Sequence, residues 1–208
     1  MSLTNVVGCN QSMFSARSGG SCWGIAFMFC KAALNADPVT AMKTILVDPS
    51  RATTAEALMQ VQDGVHKLAG PQYAKGNDGK PVADLATEKG FANQNLVIQL
   101  RHDAIKKLAS DHGMKCLGTL SSFFEGGTES FVKHLIELCE SAGTAAVQID
   151  LQQPKGHAVA MHYAKNGFYF FDPNTGLWIE SDIKEAAADL AKQFSGYTFT
   201  FGHMLLKV

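Results

Sequence analysis

Apolar positions follow two rhythms along this chain, helical spacing before residue 143 and strand-like alternation after it. From Cys22 the run CWGIAFMFCKAALNA is apolar on most faces, which predicts a helix inside the molecule rather than on its surface. Ser21 stands where an N-cap is needed and Asp37-Pro38 where the helix should stop. Residues 1–21, rich in Ser, Gly and Asn, read as an irregular lead-in. Thr53 and Glu56 have capping-box spacing and predict a helix to about Leu68, closed by Gly70-Pro71. The polar, turn-rich run between Tyr73 and Asp84 reads as an exposed loop. Asp84 to Gly90 and His102 to His112 read as two short helices, Cys116 to Ser121 as a short strand, and Phe123-Phe124 as core anchors of a loop. Helical spacing is clearest in ESFVKHLIELCESAG, with Phe131, Leu135, Leu138 and Cys139 on one face and Gly143 as terminator.

Beyond that point strands take over. Ala145 to Leu151 reads as a strand, and Gly156 to Trp178 as a hairpin. In the hairpin, an alternating run opens on His157, Lys165-Asn166-Gly167 turns the chain, and Phe168 to Phe171 delivers Asp172 ahead of Pro173. A helix from Asp182 to Phe194 and a last strand, TFTFGHMLLKV, complete the pattern. Helices first and an antiparallel sheet later predict an α+β fold. The 208 residues predict one domain, 1–208.

Register decides whether His157 and Asp172 can meet. A tight turn at Asn166-Gly167 would set Met161 opposite Asp172 and leave His157 roughly 13 Å away along the strand. A four-residue loop from Ala164 to Gly167, or a bulge of the same effect, would set Val159 opposite Asp172. His157 would then be its diagonal neighbour on the same face, about 7–8 Å away between backbones. The longer loop is the expectation, because only it permits the pair.

Composition narrows the function. Lys+Arg 18 against Asp+Glu 19 leaves no large net field to suggest nucleic acid or an anionic membrane as partner. The five cysteines, at 9, 22, 30, 116 and 139, form no CxxC pair and no zinc-like spacing, which favours reduced thiols over a disulfide framework. No apolar run is long enough for a membrane span, and no Sec-type signal opens the chain.

Cys22 follows a Gly19-Gly20-Ser21 turn at the start of the apolar helix. A helix N-terminus and a nearby imidazolium both stabilise a thiolate, so this position suits a nucleophile, with His157 as base and Asp172 as the acid that orients it. Cys30, Cys116 and Cys139 fit buried apolar positions better. His162, five residues along from His157, should face the other side of its strand, so the two are not expected to share a metal. His203 reads as structural. Asp172 can also serve the turn chemistry of Asp-Pro-Asn-Thr-Gly.

GGSCWG resembles the nucleophile segment of papain-like cysteine proteases. GHAVAMHY followed by FFDPNTG is similar to the His and Asp segments of the YopT-like effector cysteine proteases, a papain-like family that bacteria deliver into host cells. The resemblance covers roughly Ser18 to Leu34 and Gly156 to Trp178; Asp37 to Gly143 has no counterpart in it. It implies a papain-like fold, with the nucleophile at the start of a central helix packed on a C-terminal antiparallel sheet. It also implies a triad of Cys22, His157 and Asp172, no metal or organic cofactor, a protein substrate in the host, and synthesis in a bacterial cytoplasm followed by specialised export. Papain-like enzymes usually place a Gln or Asn five or six residues before the Cys to help bind the oxyanion; here those positions are Arg17 and Ala16. The nearest upstream amides are Asn10 and Gln11, and Gln11 is the candidate donor. Three functions remain open on these residues: endopeptidase; deamidase, acyltransferase or amidase with the same triad; and a binding domain with an inactive site.

Overall fold

Alternation along the strands sorts side chains onto two faces of a sheet, and helices bury both. The computed structural model describes residues 3–14, 21–60, 88–121, 125, 127–152, 156–164, 167–180, 182–197 and 199–208. Its described strands are β1 (Thr4–Val7), β2 (Met114–Ser121), β3 (Ala145–Gln152), β4 (His157–Ala164), β5 (Gly167–Asp172), β6 (Gly176–Glu180) and β7 (Phe199–Lys207). They form a seven-stranded antiparallel sheet in the order β1-β6-β5-β4-β3-β7-β2. The described helices are α1 (Cys22–Ala33), α2 (Pro38–Val47), α3 (51–60), α4 (Glu88–Asp111), α5 (Thr128–Ala142) and α6 (Ile183–Phe194). This is the expected α+β architecture.

One face of the sheet presents Ala146, Ala158, Ala160, Tyr169, Phe171 and Leu205 to α1 and its neighbours. The other presents Val147, Ile149, Val159, Met161, Phe168 and Phe170 to α5 and α6. Phe29 of α1 stacks on Phe171 at 4.7 Å between ring centroids, and both rings are fully buried. Each such ring contributes roughly 1.5–3 kcal/mol of apolar transfer, so α1 is held to the sheet along its length.

Several elements depart from the sequence expectation. The lead-in holds β1, which pairs with β6, and a 3-10 turn at Gln11–Met13. The residues of β1 are mostly exposed, so no alternating apolar signal announces an edge strand. Asp37, expected to stop α1, also starts α2: its carboxylate accepts from the N–H groups of Val39 and Thr40, and Pro38 takes the first helical position. Helix α3 begins ahead of Thr53, and its expected end at Leu68 lies outside the described residues, as do the loop expected between Tyr73 and Asp84 and the Phe123-Phe124 pair. Of the two short helices expected, Asp84 to Gly90 and His102 to His112, residues 84–87 lie outside the described residues, and the rest up to Asp111 belongs to one helix of 24 residues, Glu88–Asp111. Gly90 alone does not break it, since an interior glycine costs only about 1 kcal/mol. The segment after Thr175 is the separate strand β6.

Candidate active site

Cys22 opens α1, and two contacts fix where that helix begins. Gly24 lies against Ala55, whose carbonyl a side chain at position 24 would strike. Gln148 on β3 donates through Nε2 to the Trp23 carbonyl at 3.3 Å. Ser21 sits at the N-cap, yet its side chain makes no capping bond. The first-turn N–H groups of α1 thus keep their partial positive charge next to the half-buried Cys22 thiol.

The hairpin brings base and acid to the same end of the sheet. Strands β4 and β5 pair Ala160 with Phe171 and Tyr163 with Phe168, a register that continues to Val159 opposite Asp172. This is the register expected of the longer loop. The ladder runs one pair further than expected, to Ala164 and Gly167, so the connection is positions 165–166 rather than 164–167. His157 Nε2 lies 2.9 Å from Asp172 Oδ1. The same oxygen accepts the Asn174 N–H at 2.8 Å, and the Thr175 N–H returns to the Asp172 carbonyl at 3.0 Å. Asp172 therefore closes a turn and holds the imidazole at once.

Burial opposes the charged form of His157, but hydrogen bonds to Asp172 and to Cys22, with the charge of both, outweigh it and push its pKa up to about 9. With Nε2 committed to Asp172, Nδ1 is the nitrogen left for the hydrogen bond to Cys22. The side chains are 14% and 21% exposed for His157 and Asp172, low enough for a strong pair and sufficient for access. A thiol, an imidazole and a carboxylate in this order can pass a proton between sulfur and nitrogen and hold the imidazolium so formed.

Gln11 reaches the same place from the N-terminal segment. Its Oε1 accepts the Ser21 N–H at 3.2 Å, and its Nε2 donates to Asn174 Oδ1 at 2.7 Å. Asn10, the other upstream amide, instead caps the 3-10 turn through Ser12 N–H. Arg17 and Ala16 lie outside the described residues.

The remaining thiols and imidazoles are placed differently. Burial, then the charge of Asp172, raises Cys9 to about 11; burial raises Cys116 to about 11 and Cys139 to about 12, and Cys30 as well. His162 faces the α1 side, is 2% exposed, and is pushed down to about 4 by burial. Two neighbours of the cluster escaped the sequence reading. Asn174 looked like turn chemistry alone. The Tyr197 phenol is raised by burial and by the charges of Asp172 and Cys22, so it senses both although it carries no local motif. A cavity of about 440 Å³ is lined by Asp172 together with Leu3, Phe170, Trp178 and Lys192. A larger hollow of about 960 Å³ between α5 and α6 touches none of these residues.

Comparison with known proteins bears on the fold and the family. The solved structure of the Pseudomonas avirulence protein AvrPphB is similar at a TM-score of 0.58 and 16% identity, over 94% of this chain and 99% of that one. PatoxP, a cysteine protease-like domain of the Photorhabdus asymbiotica toxin PaTox, is similar at 0.51 and 14% identity, over 99% of this chain and 54% of that one. These likenesses show a shared fold, the papain-like one that the sequence resemblance implies. No curated protein matches by sequence. A family model described as Yersinia/Haemophilus virulence surface antigen matches residues 6–196, and the chain belongs to that family, the C58 cysteine peptidases of the YopT/AvrPphB type.

Proposed function

We propose that this cysteine peptidase is an endopeptidase that cuts a host protein, with Cys22 as nucleophile, His157 as base and acid, Asp172 as the group that orients His157, and Gln11 as an oxyanion donor. The observation that carries the reading is the imidazole of His157 tied at 2.9 Å to Asp172 and hydrogen-bonded as well to the Cys22 thiol at a helix N-terminus. The pKa of about 9 keeps His157 protonated at neutral pH, as a group that must protonate the leaving amine needs to be.

From that arrangement the steps follow. The Cys22 sulfur attacks the scissile carbonyl carbon, and the oxygen, now negative, is held by the Cys22 N–H and an amide hydrogen of Gln11. The carbon–nitrogen bond breaks as His157 gives its proton to the leaving amine. His157, now neutral, takes a proton from water, whose oxygen attacks the thioester; the carbon–sulfur bond breaks and the acid product leaves. All of the proton traffic passes through Nδ1, while Nε2 stays on Asp172. No described helix is long and apolar enough to cross a membrane. Family membership supports delivery of the protein into a host cell, where the substrate would be met.

The test is mass spectrometry of host-cell proteins incubated with wild type and with Cys22→Ala. New protein N-termini made only by wild type are expected. Deamidated or cross-linked glutamines in their place would overturn the endopeptidase reading and leave the triad intact. Identical products from both proteins would overturn the triad.

A further inference from the structure

We propose that Asn174 is a positioning residue that aims the Gln11 amide at the oxyanion, an inference that rests on the peptidase reading above. Three hydrogen bonds carry it. The Ser21 N–H donates to Gln11 Oε1 at 3.2 Å, Gln11 Nε2 donates to Asn174 Oδ1 at 2.7 Å, and the Asn174 N–H donates to Asp172 Oδ1 at 2.8 Å.

The direction of this chain is fixed at its nucleophile end. A backbone N–H can only donate, so the Gln11 oxygen must face Ser21 and its nitrogen must face Asn174. Asn174 must then present its oxygen to Gln11, and neither amide can flip without breaking a bond. An amide nitrogen has two hydrogens. One is spent on Asn174; the other is held in a defined direction next to the residue that precedes Cys22. Without Asn174 the Gln11 side chain keeps a single tether through its oxygen and can turn about it, so the second hydrogen loses its aim.

The tie is also long-range. It joins residues 163 apart in sequence, and both ends are anchored. The Asn174 turn is held by the Thr175 carbonyl accepting from Asn5 Nδ2 at 3.2 Å and by Trp178 Nε1 donating to Thr175 Oγ1 at 3.2 Å. At the other end, the Gln11 turn is capped by Asn10 and followed by Phe14, which is 1% exposed. The Asp172 oxygen that orients His157 is the one that holds the Asn174 backbone, so acid and oxyanion donor share one turn.

Two reactions of Cys22 separate aiming from general support. Acylation by p-nitrophenyl acetate passes through an oxyanion; alkylation by iodoacetamide does not. Asn174→Ala should slow acylation by roughly 10-fold or more, short of the 10²–10³ that follows loss of an oxyanion donor outright. Alkylation near neutral pH should stay within about twofold, because the Cys22–His157 pair does not depend on the Gln11 amide. Asn174→Asp, which keeps an acceptor oxygen, should recover most of the acylation rate. Gln11→Ala and the Gln11→Ala/Asn174→Ala double variant should acylate alike, since Asn174 acts through Gln11.

Equal slowing of both reactions in Asn174→Ala would overturn the inference in favour of a structural role, and so would additive losses in the double variant. If Cys22→Ala itself is still acylated at the wild-type rate, the peptidase reading has failed and this inference with it. If Cys22→Ala is inert while Asn174→Ala matches wild type, only this inference falls.

Discussion

Among the described residues, two histidine–carboxylate pairs sit in this sheet, and one of the two stands where chemistry can reach it. His157 and Asp172 meet at 2.9 Å at the end of β4 and β5, 14% and 21% exposed. His203 on β7 and Asp150 on β3 meet at 3.3 Å, 0% and 1% exposed. The buried pair has a hydroxyl as well, Thr119 Oγ1 at 3.0 Å from His203 Nδ1. By residue type it too is a nucleophile, a base and an acid. What distinguishes it is a guanidinium, Arg101, whose NH1 donates to the same Asp150 oxygen at 2.7 Å and whose plane lies 4.5 Å from the Phe201 ring centroid. In the buried pair the carboxylate answers an arginine inside a core; in the rim pair it answers an imidazole that answers a thiol. The lesson is that the dyad alone does not mark a site: access and the partner on the far nitrogen do.

Removing a member of each pair gives the largest contrast. His157→Ala should reduce peptidase turnover by on the order of 10⁴-fold or more, while costing at most roughly 3 kcal/mol of stability at neutral pH. Asp150→Ala should do the reverse. Taking the carboxylate from a buried arginine and histidine costs about 3–5 kcal/mol, while turnover per folded molecule stays within a few-fold. Paired unfolding curves and initial rates check both, and an inactive Asp150→Ala that unfolds like wild type would break the contrast.

The pH dependence sharpens it. With its pKa raised to about 9, His157 is protonated at neutral pH and loses that proton as pH rises through about 9. The alkaline limb of kcat/KM should fall there. Asp172→Asn removes the acceptor's charge, so the limb should move down toward about 6.5. A limb that does not move would mean that Asp172 does not hold the proton on His157.

Stability carries the same signature more weakly. The folded pKa lies above an unfolded value of about 6.5, so the His157 interactions stabilise the fold fully below about 6.5, progressively less up to about 9, and not above it. The gap in unfolding free energy between wild type and His157→Ala should close by at most roughly 3 kcal/mol over that window. A gap independent of pH would show that the imidazole is held no better folded than unfolded.

How much of this was legible beforehand follows the range of the interaction. The face shared by His157 and Asp172 is set by alternation, and their separation by a turn two or four residues long, so sequence could state the register as a condition. The α1 start was legible because Cys22 opens an apolar run behind two glycines. Strand β1 and the merged helix α4 were not, since one is an exposed edge held by β6 and the other continues through Gly90. In the site, Gln11 could be reached from the amides upstream of Cys22. Asn174 and Tyr197 could not: their places depend on contacts that close over the whole fold and leave no spacing to read.

The smallest effect tests the contrast most directly, because it touches the buried pair without emptying it. Thr119→Val keeps the shape of the side chain and removes the hydroxyl that lies 3.0 Å from His203 Nδ1 and 3.4 Å from His102 Nδ1. Leaving a buried nitrogen without that bond costs about 1–3 kcal/mol, to be read as a lower urea midpoint at unchanged slope. Turnover should be that of wild type, because the imidazole and carboxylate that this hydroxyl adjoins are 0% and 1% exposed. The matching change at the rim, Cys22→Ser, also keeps shape and should abolish turnover with almost no shift in midpoint. If instead Thr119→Val lost turnover and kept its midpoint, access would not be what separates the two pairs.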